Sequence, residues 1–129
     1  MNKMLITIDS TSEIPIYQQL SEQIILGIAA GDFQNGELLP SVRQMADEIG
    51  VNAMTVSKSY GFLREKGYVV TDRRNGTIVQ AQLPLNPPFV QELTERLRLL
   101  AAEASIHQLS LTELQQQLAA VYPSEEEEK

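Results

Sequence analysis

Leu39-Pro40-Ser41-Val42-Arg43-Gln44-Met45-Ala46-Asp47-Glu48-Ile49-Gly50-Val51-Asn52-Ala53-Met54-Thr55-Val56-Ser57-Lys58-Ser59-Tyr60 holds two helix starts and one helix stop within 22 residues. Ser41 can accept a hydrogen bond from a free backbone N–H, and Gln44, three residues on, can reach back to it. That pairing is a capping box, and it predicts a helix from Val42. Val42, Met45, Ala46 and Ile49 recur at helical spacing and face inward, and Gly50 ends the helix after about two turns. Only Val51 separates that stop from Asn52, a good N-cap for a further helix. Val56, Tyr60 and Leu63 form the buried line of this next helix, which runs to about Lys66, with Gly67 as its left-handed stop.

Toward the N-terminus, Pro15 suits the first position of another helix, since its φ is fixed and its missing N–H has no partner to lose there. Ile16, Leu20, Ile24 and Ile28 make its buried stripe and Gly31 its stop. Before it, the alternation over residues 4–8 predicts a short strand. Toward the C-terminus, Tyr68–Thr71 and Thr77–Val79 are β-branched or aromatic runs around Asp72-Arg73-Arg74-Asn75-Gly76. Asn-Gly between such runs signals a hairpin in which both central residues take positive φ. Pro84, Pro87 and Pro88 predict a stiff extended linker. Two helical patterns follow, the first with Phe89, Leu93, Leu97, Leu100 and Ala104 on one face. The second opens with a capping box, Ser110 and Glu113, and carries Leu111, Leu114, Leu118 and Val121. About 40 residues cannot enclose a core alone, so these leucine faces need a partner.

The expected fold class is therefore mainly α with a small β hairpin (α+β). Residues 1–82 form a helical unit closed by the hairpin, 83–123 a two-helix tail, and 124–129 an acidic disordered tail. The chain has 129 residues, no cysteine and no tryptophan. No window approaches the ~18 unbroken apolar residues of a membrane span, and the N-terminus lacks a signal-peptide core. Without cysteine there are no disulfides or thiolate metal sites, and His107, the single histidine, has too few companions for a metal site. These features predict a cytoplasmic protein without a membrane partner, metal or cofactor. No Gly-rich phosphate loop or nucleophile–base pairing appears, so no enzyme is expected.

The formal charge of −7 argues at first sight against nucleic acid, but the charge is unevenly placed. Residues 83–129 carry −5, whereas residues 43–76 carry +2. Binding depends on charges within a Debye length, about 8–10 Å, so the local excess counts. Two short helices joined by a Gly-Val turn are the sequence form of a helix-turn-helix. Its second member would offer Asn52, Ala53, Met54, Thr55, Ser57 and Lys58 to a major groove wide enough for one helix. A hairpin tipped with Arg73, Arg74, Asn75 and Gly76 would act as a wing along the adjacent backbone or minor groove. Arg43 can reach a phosphate or a guanine edge. Each has a plainer reading as well: Arg43 and the wing arginines as solvated charges, and Lys58 as a partner of Glu65.

The run from Gly36 to Tyr60, with its Val-Asn-x-x-Thr-Val-x-Lys-x-Tyr form, resembles the winged-helix domain of GntR-family bacterial transcription regulators. The short tail is similar to that of the family's YtrA-like branch. The resemblance implies operator contacts at Arg43, at the start of the recognition helix around residues 53–57, and at the wing tip near residues 73–76. Two departures stand out: positions 53 and 57, basic in many relatives, are Ala and Ser, and the first of two usual wing glycines is Arg74. Met54 and Ala53 can still meet a thymine methyl, but fewer charged contacts imply a shallower salt dependence.

The function expected is a sequence-specific regulator, a repressor, that grips a palindromic double-stranded DNA operator as a homodimer with half-sites about 34 Å apart. The tail would supply the two-fold interface through Leu93, Leu97, Leu100, Leu114 and Leu118. The alternative is a winged-helix protein–protein interaction module. The resemblance implies that related chains can carry a large aminotransferase-like or ligand-sensing domain after the wing, and neither is expected here. A small-molecule effector would then bind at the dimer interface or between the domains, because the tail offers little room for a pocket of about 300 Å³.

Overall fold

The computed structural model of the chain describes residues 6–123. Its elements are α1 (Ile16–Ala30), α2 (Val42–Ile49), α3 (Ala53–Lys66), β1 (Val69–Asp72), β2 (Gly76–Val79), α4 (Pro87–Ile106) and α5 (Leu111–Val121). The chain divides between Leu83 and Pro84 into two compact units.

In the first unit the three helices enclose one core. Leu20 and Ile24 of α1 meet Met45 and Ala46 of α2 and Val56, Tyr60 and Leu63 of α3, with Phe33, Leu39, Val69 and Val79 closing the edges. Ile16 and Ile28, the ends of the α1 stripe, are only half-buried, because α3 crosses the middle of α1. Where α1 and α3 touch, two buried serines meet at 2.8 Å between their Oγ atoms. Ser21 donates its own proton to the Tyr17 carbonyl at 2.7 Å, so the proton shared with Ser59 comes from Ser59. A small, satisfied polar pair lets the two helices approach closely without an unpaired hydroxyl in the core.

The helix ends follow the caps anticipated from the residues. Ser41 accepts from the Gln44 N–H at 3.1 Å while the Gln44 side chain accepts from the Ser41 N–H at 3.0 Å. Gly31, Gly50 and Gly67 each end a helix with positive φ. Ser41→Ala removes one cap partner from an eight-residue helix, and the expected cost is about 0.5–2 kcal/mol of stability in urea melts. An unchanged midpoint would mean that packing alone holds α2.

Three local expectations need correction. The strand proposed over residues 4–8 does not form where it is described: residues 6–8 belong to no strand, and residues 4 and 5 lie outside the described residues. Glutamine side chains of α1 take the place of a neighbouring strand. Gln23 accepts from the Thr7 N–H at 3.0 Å and donates to its carbonyl at 2.6 Å. Gln19 does the same for Asp9 at 2.9 and 3.0 Å. Each amide copies the donor–acceptor pair of a β partner.

The hairpin is present, with Val69 opposite Val79 and Asp72 opposite Gly76. Its loop is the three residues 73–75 rather than a two-residue turn, and only Gly76 takes a positive φ, +109°. Finally, Pro87 and Pro88 do not belong to the linker. They occupy the first positions of α4, behind the Asn86 cap that accepts from the Phe89 N–H at 2.9 Å. Helix starts tolerate proline because their N–H groups have no intrahelical acceptor.

One pairing was hidden in the sequence. Residues 36–39 run along the free edge of β2: the Gly36 N–H donates to Val79, Val79 to Glu37, and Leu39 to Thr77, each at 2.8 Å. Leu38 lies opposite Ile78 as an isolated antiparallel bridge. Two leucines between Gly36 and Pro40 are too short a run to show alternation. This edge ties the root of the hairpin to the start of α2.

The second unit is the pair α4 and α5. The Ser110–Glu113 capping box forms, with Glu113 N–H to Ser110 Oγ at 3.1 Å, and His107 is the exposed C-cap of α4. Neither helix contains a buried residue.

Candidate nucleic-acid interface

Val56 at 0% exposure seats the first turns of α3 on the core, and the residues around it point away. Ala53, Ser57 and Lys58 are exposed, Met54 is 79% exposed, and Thr55 is half-buried. Asn52 is committed on one side: its Oδ1 accepts from the Met54 N–H at 2.6 Å, which leaves its amide hydrogens for an outside acceptor. The predicted recognition surface is therefore open, and its chemistry is amide, hydroxyl, methyl and thioether with a single ammonium.

That ammonium is held by a partner that has no local signal in the sequence. Lys58 Nζ stands 4.2 Å from the centre of the Tyr17 ring, so the lysine lies over α1 rather than pairing with Glu65. A cation over an aromatic face is attracted by about 0.5–1 kcal/mol at an exposed site. The Ser21–Ser59 contact lies beside it, one turn along α1 from Tyr17 and one residue along α3 from Lys58. Helix crossing alone brings residues so far apart in the chain together.

Arg43 is exposed on the first turn of α2, and its guanidinium makes no hydrogen bond or ion pair with a described residue. Pro40, just before that turn, is fixed from the core: the Tyr60 hydroxyl donates to its carbonyl at 2.7 Å. Burial, followed by the negative charge of Glu48, raises the Tyr60 phenol well above its ordinary range, so it remains a neutral donor. Arg43 thus leaves a rigid platform.

The wing tip is built by Asp72. Its Oδ1 accepts from the Arg74 N–H at 2.9 Å and its Oδ2 from the Asn75 side chain at 3.0 Å. Arg73 and Arg74 are exposed with unengaged guanidinium groups, while Asn75 spends one amide hydrogen on the turn. The Arg64 Nε donates to Thr71 Oγ1 at 2.8 Å, fastening β1 to α3. Gly76 stands at the base of the tip, where its φ would strain a side chain and Leu38 Cδ1 lies 3.5 Å from the place of a Cβ. Arg43, the start of α3 and the wing accordingly belong to one packed unit, linked through the Leu38–Ile78 bridge.

Hydrogen bonds from Arg74 and Asn75 hold the Asp72 carboxyl below its ordinary 3.8. A depressed folded value means that the stabilisation is complete above 3.8 and disappears as pH falls through the lowered value. Acid titration is expected to shift the Arg74 amide resonance and speed its exchange only below about pH 4, and Asp72→Asn should remove that step. A step that survives in the variant would assign it to another group.

Among the described residues no group of His, Asp and Glu could hold a metal ion, and no helix is long and apolar enough to cross a membrane. A three-helix core with a paired recognition helix and an adjoining two-stranded wing defines a winged helix-turn-helix DNA-binding regulator. Residues 16–79 match the gntR family of bacterial regulatory proteins. The chain is 34% identical to the HTH-type transcriptional repressor YtrA of Bacillus subtilis over 112 residues, 85% of this chain and 86% of that protein. It belongs to the GntR family, whose members regulate transcription and are not enzymes. Among solved structures, a transcriptional antiterminator from Listeria monocytogenes EGD-e superposes with a TM-score of 0.82 at 27% identity, covering 92% of this chain and 90% of that one. The AraR DNA-binding domain in complex with operator ORE1 matches with a TM-score of 0.50 at 25% identity over 59% of this chain and 93% of that one.

Proposed function

We propose that this regulator is a cytoplasmic repressor that grips a palindromic operator as a homodimer. The observation that carries the proposal is the joint presentation, from one packed unit, of three unengaged arginines and the exposed first turns of α3. In this reading α3 lies in the major groove, with Asn52, Ala53, Met54, Thr55 and Ser57 at base edges and Lys58 at a phosphate. Arg43 reaches the groove from the neighbouring helix, and Arg73 and Arg74, with Asn75 and Gly76 shaping the tip, follow the flanking backbone or minor groove. The relative named a repressor supports the direction of control.

The homodimer rests on the tail. Leu93, Leu97, Leu100 and Leu118 are 41–55% exposed and Leu114 is half-buried, although leucines at helical spacing form a face that water disfavours. Covering these leucines with a second copy completes a core that two helices cannot enclose. It also sets two recognition helices on neighbouring half-sites.

Selection of bound sequences from a random duplex pool tests the reading. An inverted repeat with half-site centres about 10 base pairs apart, or a small multiple of one helical turn, is expected. Recovery of a single asymmetric site would overturn the palindromic arrangement.

A further inference from the structure

Met54, in the first turn of α3, is 79% exposed, more than any other large apolar side chain among the described residues. Ala53 beside it is also exposed, so two apolar side chains stand together on a helix whose opposite face is buried through Val56 and Tyr60. Met54 takes no part in the core. Its backbone, by contrast, is fixed. The Met54 N–H donates to Asn52 Oδ1 at 2.6 Å, which caps the start of the helix, and fully buried Val56 sets the rotation of α3 about its axis. The Cα is therefore held while an unbranched, polarisable side chain adapts to whatever meets it.

The other groups on this face compete weakly for a base. The Lys58 ammonium stands over the Tyr17 ring of α1, and Asn52 spends its Oδ1 on the cap. Ser57 offers a hydroxyl, which donates or accepts and so suits any base edge. In the major groove the one apolar group that separates the four base pairs is the C5 methyl of thymine. A methyl set against Met54 takes apolar surface of both out of water, whereas cytosine or uracil at the same place covers less of the thioether. A thioether donates no hydrogen bond and accepts only weakly, so it does not tell a 4-oxo from a 4-amino pyrimidine.

We infer that Met54 is a specificity-determining residue that recognises the C5 methyl group of one pyrimidine in each half-site, thymine and 5-methylcytosine alike. The inference rests on the operator reading above and deepens it by naming the chemical group that is read and the side chain that reads it.

Fluorescence anisotropy of the full chain on the duplex selected from the random pool tests this. Each thymine of a half-site is replaced in turn, together with its symmetry mate, by 2′-deoxyuridine, which removes the methyl and nothing else. At one position the paired replacement is expected to weaken binding about tenfold or more, since burial of one methyl-sized group gives about fourfold at each half-site. With cytosine opposite guanine at that position, methylation of C5 should raise affinity by a similar factor. Met54→Ala should bring both ratios to near unity, and Met54→Leu should keep them. Both variants change an exposed side chain, so their amide spectra should stay native. An operator whose thymines all tolerate uracil would overturn the inference and leave the operator reading intact. So would a uracil penalty that survives Met54→Ala, or 5-methylcytosine that binds no better than cytosine. Failure to select any sequence would remove both readings together.

Discussion

A chain in which Arg43, Arg73 and Arg74 are all alanine is expected to fold normally and to bind its operator at least a hundredfold more weakly. None of the three guanidinium groups is hydrogen-bonded or ion-paired to a described residue, so their removal breaks no bond among the described residues. Taking an arginine away from a base edge costs about 1–3 kcal/mol of affinity, and losing two phosphate contacts besides brings the total to about a hundredfold or more. The salt dependence separates the roles. An arginine on a phosphate contributes close to one unit of slope in log affinity against log salt, whereas a pure base-edge interaction contributes little. Arg43→Ala alone should therefore relax preference at one or two positions, while the wing pair should weaken all duplexes alike and flatten the slope. Fluorescence anisotropy on the selected operator and a scrambled duplex, at several salt concentrations, reads both quantities. Binding unaltered by the triple change would place the interface elsewhere on the molecule.

The second large effect concerns the tail. Leu97→Glu with Leu100→Glu puts two carboxylates into the leucine face of α4, where these side chains are 48% and 50% exposed in the single chain. A lone chain tolerates such a change, because neither position is part of a buried core. An interface does not, since two charges would be desolvated without partners and repeated by symmetry. Sedimentation should show the native chain as a dimer and the variant as a monomer at the same concentration. Operator affinity should fall by about 10²–10⁴, the advantage of two linked half-sites over one. A variant that is monomeric yet binds as tightly as the native chain would show that the first unit alone carries operator affinity. A native chain that sediments as a monomer would remove the dimer itself.

Caps, stops and stripes were legible because they are local. Ser41 with Gln44, Asn52, Gly50 and Gly67 each act within one helical turn, and each does in the folded chain what its residue type allows. The open face of α3 follows from the same arithmetic, since burying Val56 and Tyr60 turns residues 53, 54, 57 and 58 outward. The misses have an equally physical cause. Residues 6–8 have strand-like alternation, but their partners are Gln19 and Gln23 of a helix. Pro87 and Pro88 suit an extended linker and a helix start alike, and the Asn86 cap settles which. The wing turn contains Asn-Gly, yet the Asp72 carboxylate captures Arg74 and Asn75 and lengthens the loop.

Periodicity and capping chemistry, both carried by neighbours three or four residues apart, were enough to specify the helices, the hairpin and the reading head they compose. Assembly was needed for everything that joins distant residues. Lys58 rests on Tyr17, Ser59 meets Ser21, and the Leu38 segment becomes an edge beside β2. Those arrangements depend on how helices cross and which side chains fill the space between them, and no spacing along a chain encodes that.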